Sequence, residues 1–110
     1  MKVLKFGGTS VGSAARMKDV AKLICDGERK IVVLSAMSGT TNSLVEIADY
    51  FYKNNNAGAL ERINTLEQKY YDVVDELYTT DQYKAAAKTV LKAHFEYLRS
   101  FSKSVFIYLS

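Results

Sequence analysis

The chain has 110 residues, 48% of them hydrophobic and 25% charged, with no proline and a formal net charge of +3. That length supports one modest core and excludes collagen-like and low-complexity classes, and the scattered charge makes no demand for nucleic acid as a partner. A single cysteine, Cys25, excludes an internal disulfide framework and a cysteine-based zinc site. No apolar run approaches the roughly 18 residues of a membrane span, and the start is too short in apolar residues for a signal peptide. A cytoplasmic protein with no membrane partner is expected.

In chain order, Lys2 to Phe6 reads as a strand that stops at Gly7-Gly8. Met17, Val20, Ala21 and Ile24 then recur at helical spacing, which predicts an amphipathic helix from about Ser13 to Asp26 with Gly27 beside its end. Ile31-Val32-Val33-Leu34 is a continuous apolar run, the pattern of a strand covered on both faces. Two strands joined through a helix pair in parallel, so residues 1–42 are expected to form a right-handed βαβ unit. Residues 43–104 read as helical. Leu44, Ala48, Phe51 and Tyr52 share one face of the first helix, and Ser43 with Glu46 has capping-box spacing. Asn54-Asn55-Asn56-Ala57-Gly58 breaks that helix. The next carries Leu60, Ile63, Leu66, Tyr70, Val73 or Val74, and Leu77. A polar turn at Thr79-Thr80-Asp81-Gln82 leads to a third, with Tyr83, Ala87, Val90, Leu91, His94, Leu98 and Phe101 facing inward. The last two helices form an αα-hairpin. Val105 to Leu109 either extends the helix or begins a strand.

Two loops occupy the same structural place, between a strand end and a helix start. They are Gly7-Gly8-Thr9-Ser10-Val11-Gly12-Ser13 and Ser35-Ala36-Met37-Ser38-Gly39-Thr40-Thr41-Asn42. In an open parallel sheet such loops line the ligand site. Gly7 and Gly8 let a ligand approach the backbone, the following helix start attracts an anion, and Lys5 adds a positive charge nearby. Phosphate suits the first loop. Ser35, Ser38, Thr40 and Thr41 offer hydroxyls to a carboxylate at the second. Together they point to phosphoryl transfer onto a small acid. Neither G-x-x-x-x-G-K-[ST] nor G-x-G-x-x-G is present, so on physics alone a plain turn and a plain helix cap stand as equal readings.

Lys5-Phe6-Gly7-Gly8-Thr9-Ser10-Val11-Gly12 and Val33-Leu34-Ser35-Ala36-Met37-Ser38-Gly39-Thr40-Thr41-Asn42 closely resemble the two N-terminal signatures of the aspartokinase family. The match covers the first forty-odd residues in register. The resemblance implies the N-terminal part of an amino-acid kinase (carbamate kinase-like) α/β fold, a parallel βαβ unit followed by a long helical hairpin. It also implies transfer of the ATP γ-phosphoryl group to the side-chain carboxylate of L-aspartate, the first step toward lysine, threonine and methionine, with Mg2+ as metal and a homo-oligomeric enzyme. Position by position, Lys5 would contact the transferring phosphoryl group, Gly7, Gly8 and Thr9 would cradle the phosphates, and Ser35 and Thr41 would hold aspartate. Ser10, Ser38, Thr40 and Asn42 serve equally well as capping or packing residues. The family's nucleotide-binding half and its ACT domains have no counterpart in these residues, and no metal ligand is identified. The chain therefore reads as an inactive N-terminal fragment. The rival reading is a non-catalytic, self-associating helical interaction module.

Four further features take simpler readings. His94 on an apolar stripe is expected at the core or its boundary, and Cys25 as a small buried residue. Tyr70, Tyr78, Tyr83 and Tyr97 are expected to be core and interface residues. Lys84, Lys88 and Lys92 recur every four residues as one solvated face.

Overall fold

The computed structural model describes residues 1–109, with side chains through residue 102. Its elements are β1 (Lys2–Phe6), α1 (Ala14–Ile24), β2 (Lys30–Leu34), α2 (Thr40–Tyr52), α3 (Asn56–Leu77) and α4 (Asp81–Leu109). They fall into two compact units, Met1–Thr41 and the residues from Asn42 onward.

In the first unit, β1 and β2 pair in parallel with Lys2 opposite Lys30 and Phe6 opposite Leu34. The expected α/β architecture is present. Serine at 13 ends the first loop by capping α1, its hydroxyl accepting the Arg16 N–H at 3.2 Å. The chain leaves α1 through Cys25, then turns at Gly27 with a positive φ of 80°. Glu28 N–H donates to Asp26 across that turn at 3.0 Å, and Lys30 pairs with the same carboxylate at the start of β2. Alternation along the strands gives the sheet two unlike faces. Leu4 and Val32 are half-buried, whereas Val3, Ile31 and Val33 are exposed. The expectation that β2 is covered on both faces is thus corrected among the described residues, because the unit supplies one helical layer and a sheet needs two to bury both sides. Cys25 is exposed rather than buried, since it lies past the last helical turn.

In the second unit, Ile47 and Phe51 of α2, Ala59, Ile63 and Leu66 of α3, and Phe95 of α4 form one core. Tyr70 meets Phe95 edge to face at 5.8 Å. The break between α2 and α3 is built by asparagines. Asn54 adopts φ 58°, a left-handed conformation that asparagine tolerates, and Asn55 caps α3 by accepting the Gly58 N–H at 3.0 Å. Gly58 is required there, because a Cβ would lie 2.9 Å from the Tyr50 ring. Residues 105–109 extend α4.

Several faces differ from the sequence reading. The buried side of α2 is Ile47 and the expected Phe51, while Leu44, Ala48 and Tyr52 are exposed. Ser43 lies inside α2, which starts earlier at Thr40, so the Ser43–Glu46 box caps nothing. Glu46 instead pairs with Arg62 of α3 at 3.1 Å. On α4 the fully buried residue is Phe95, with the expected Leu91, Leu98 and Phe101 packed beside it, whereas Tyr83, Val90, His94 and Tyr97 are exposed. Tyr78 is exposed at the hairpin end, tilted against Tyr83. The lysine series is not simply solvated either. Lys88 pairs with Asp75 of α3 at 2.7 Å and lies 6.0 Å from the centre of the Tyr71 ring.

The hairpin is closed by a polar network that is largely shielded from water. Arg99 on α4 pairs with Glu67 and donates to Asn64 at 2.7 Å, while Tyr71 OH donates to Glu67 at 2.8 Å. The Arg99 hydrogen bond is the main cause that holds the Glu67 carboxyl below its ordinary 4.5, and the Tyr71 bond adds to it against the cost of burial. A depressed folded value means the stabilisation is complete above the ordinary glutamate range and disappears as pH falls through the folded value. Glu67→Gln is therefore expected to cost about 2 kcal/mol at pH 7, a gap from the unaltered chain that closes in acid. Urea unfolding followed by helical circular dichroism at neutral and acidic pH checks this; a gap independent of pH would contradict it.

Candidate ligand loops of the parallel sheet

Parallel pairing sends both strands' C-terminal ends the same way, so the two loops start side by side. The last rung joins them directly, with Ser35 N–H donating to the Phe6 carbonyl at 3.0 Å. The first loop then tightens on itself. Ser10 and Val11 N–H groups both reach the Gly7 carbonyl, at 3.1 and 3.3 Å, and Gly12 N–H reaches Thr9 at 3.3 Å. The N–H groups of Gly8 and Thr9, in the middle of this turn, have no acceptor among the described residues. They are, with the Gly7 N–H, among the donors of the loop that remain free for a ligand.

The glycines divide their work. A Cβ at Gly7 would meet nothing within 4 Å, which leaves that backbone open to approach. A Cβ at Gly8 would lie 3.2 Å from the Ala36 carbonyl oxygen, and one at Gly12 would lie 3.2 Å from the Ser38 Cβ. Those two positions hold the first loop against the second. The second loop turns at Gly39, with φ 85°, and Thr40 N–H donates to the Met37 carbonyl at 3.1 Å to start α2. Met37 and Thr40 are buried, as are Val11 and Ala14, so the two loops are rooted by apolar contacts and not merely tethered.

Each predicted residue has a definite place. Lys5 lies one residue before the end of β1, opposite Val33, exposed and without an acidic partner among the described residues. Gly7 and Thr9 are exposed and Gly8 is half-buried. Ser35 and Thr41 are both exposed, Ser35 at the start of the second loop and Thr41 in the first turn of α2. Ser38 and Asn42 are exposed as well, Ser10 is half-buried in the turn, and Thr40 is buried. Neither α1 nor α2 carries an acidic residue in its first turn, so the positive ends of both macrodipoles stay uncompensated. Arg16, overlooked in the sequence reading, occupies the first turn of α1, where a cation opposes the dipole. A cation at a helix start is the signal that could have found it. Among the described residues no group of three or more His, Cys, Asp or Glu could hold a metal ion.

A parallel strand–loop–helix pair with unpaired N–H donors beside a cation is an α/β arrangement with the chemistry to receive an anion, and comparison with known proteins gives the class. The Amino acid kinase family model matches residues 1–105, and the chain belongs to that family. Within it, the chain is 35% identical over 107 residues to Aspartokinase 2, chloroplastic, of Arabidopsis thaliana, covering 94% of this chain and 18% of that protein. It is 39% identical over 106 residues to Aspartokinase 3, chloroplastic, of the same plant, again 94% of this chain and 18% of the relative. Over 50 residues it is 54% identical to the aspartate kinase of Pseudomonas fluorescens, covering 42% of this chain and 12% of that enzyme. The resemblance to the N-terminal portion of aspartokinases therefore holds, and the chain spans under a fifth of the length of the two plant relatives.

Proposed function

We propose that this chain is the substrate-loop portion of an aspartate kinase, which transfers the γ-phosphoryl group of ATP to the side-chain carboxylate of L-aspartate. The observation that carries this reading is the pair of free N–H groups at Gly8 and Thr9, set beside Lys5 in a loop packed against a hydroxyl-bearing one. Lys5 offsets negative charge that builds on the transferring phosphoryl group, and the backbone of Gly7, Gly8 and Thr9 cradles phosphate oxygens. Arg16 adds a second cation to that end of the unit. Ser35 and Thr41 donate to the aspartate carboxylates. The acceptor oxygen attacks the γ-phosphorus, the bond to the β-phosphate oxygen breaks, and ADP leaves with the electron pair.

Magnesium, which the family implies, finds no acidic cluster among the described residues, and no step is routed through it. No helix among the described residues is long and apolar enough to cross a membrane. A cytoplasmic setting belongs to the proposal, although the two plant relatives are named chloroplastic. The 110-residue chain alone is expected to bind phosphate groups without turnover.

Titrating the isotope-labelled chain with ATP and, separately, with aspartate tests the assignment. ATP should move the amide resonances of Gly8 and Thr9, and aspartate those of Ser35 and Thr41. Gly8→Val should weaken the ATP response at least tenfold, because its side chain drives against Ala36. Unmoved Gly8 and Thr9 amides at saturating ATP would overturn the phosphate role.

A further inference from the structure

α4 has a second apolar stripe that stays largely exposed, its ring contacts within the unit being Tyr83 with Tyr78 and Tyr97 with Phe101. Its contacts with α3 run through Lys88, Phe95 and Arg99, which meet Asp75, Tyr70 and Glu67 respectively. On the opposite side of the helix lie Tyr83, Ala86, Val90, Ala93, Tyr97 and Ser100, all exposed. The three large members are 60%, 58% and 67% exposed at Tyr83, Val90 and Tyr97. The spacing alternates three and four residues without interruption, the 3.5-residue period at which two helices supercoil around each other. It runs for about 27 Å of helix.

We infer that this stripe is a self-association surface, on which α4 of one copy pairs antiparallel with α4 of a second copy. The occupant follows from the order of sizes. All large residues hold one heptad position and all small ones the other. In an antiparallel pair these positions face each other, so Tyr83 meets Ser100 of the second copy, Ala86 meets Tyr97, and Val90 meets Ala93. Every layer then combines a large side chain with a small one, which lets the helices approach closely and interdigitate. A parallel pair would stack tyrosine on tyrosine and leave the alanine layers hollow. Charge agrees with the same arrangement. The stripe holds no ionisable acid or base apart from the tyrosine hydroxyls, and Glu96 on its edge falls beside Gln82 and Thr89 of the second copy instead of another carboxylate. The two-fold axis passes between Val90 and Ala93, so the contact closes on itself as a dimer and does not propagate. This inference rests on the helix surface alone and is independent of the kinase reading.

The 110-residue chain is expected to sediment as a monomer–dimer equilibrium that shifts with concentration from micromolar to millimolar. Ala93→Glu, which places two carboxylates at the axis, should raise the dissociation constant at least tenfold and leave the helical circular dichroism unchanged. Orientation is read by crosslinking in a Cys25→Ser background. Chains carrying Ala86→Cys mixed with chains carrying Tyr97→Cys should form mainly the mixed disulfide on oxidation. A strict monomer at every concentration would overturn the proposal, as would a dimer indifferent to Ala93→Glu. Disulfides formed mainly between identical chains would overturn the antiparallel arrangement.

Discussion

Lys5→Ala in a full-length kinase carrying this segment is expected to lower kcat by about 10²- to 10³-fold, the range found when one preorganised donor to a charged transition state is removed. The effect on KM for aspartate should be far smaller. Lys5 has no acidic partner among the described residues and is exposed, so its removal leaves no stranded counter-charge and no cavity. In the proposed mechanism its ammonium acts when negative charge gathers at the phosphoryl group, so the loss is expected to fall on turnover. A coupled assay of ADP release at saturating aspartate measures it. Lys5→Arg should retain part of the activity, since the charge remains and its geometry changes. Full activity in the alanine variant would remove Lys5 from the mechanism. The change should also leave the unfolding curve of the chain almost unmoved, separating a chemical role from a structural one.

Ile63→Ala should destabilise the helical unit by about 3 kcal/mol, within the range for deleting a buried isoleucine side chain. Ile63 is 0% exposed and sits at the meeting point of α2, α3 and α4, so the vacated volume has walls on every side and little freedom to collapse. Against a total stability of about 5–15 kcal/mol for an ordinary domain, that is a large share. The matching control is Val90→Ala, expected within about 0.5 kcal/mol because the side chain already faces solvent. Urea unfolding of both variants at a concentration where the chain is monomeric decides the matter. Equal losses at the two positions would mean that α4 presents a different face to the core.

That pair of variants also marks where the sequence was legible and where it was not. The two strands, their parallel pairing and all the helices are readable, because short β-branched runs and helical periods are local signals. The two loops are readable as loops for the same reason, since glycine and hydroxyl clusters after a strand end are local signals too, whereas their ligand role rests on the family resemblance. Which face of α4 turns inward is not. The helix carries one apolar stripe through Leu91, Phe95 and Leu98 and another through Tyr83, Val90 and Tyr97, and periodicity merges them. The contacts of Lys88, Phe95 and Arg99 with α3 separate the two. Likewise, Ser43 and Glu46 have the spacing of a cap, but Gly39 turns the chain in time for α2 to begin three residues earlier. The free N–H groups of Gly8 and Thr9 were beyond sequence reasoning altogether. They follow from the way Ser10, Val11 and Gly12 take up the carbonyls around them.

The pairing of Lys5 with Val33 makes the sheet its own proofreader. A slip of β1 by one residue against β2 would turn Lys5 toward the side where Leu4 and Val32 are sheltered, and would put Leu4 and Phe6 in water. Such a chain would have to desolvate an ammonium group with no counter-charge at hand. The misaligned state is therefore rejected by the same charge that the correct alignment delivers to the loops. The lysine proposed for the chemistry thus also acts as a register mark, and a chain that has folded this unit has by that fact set its cation at the strand end.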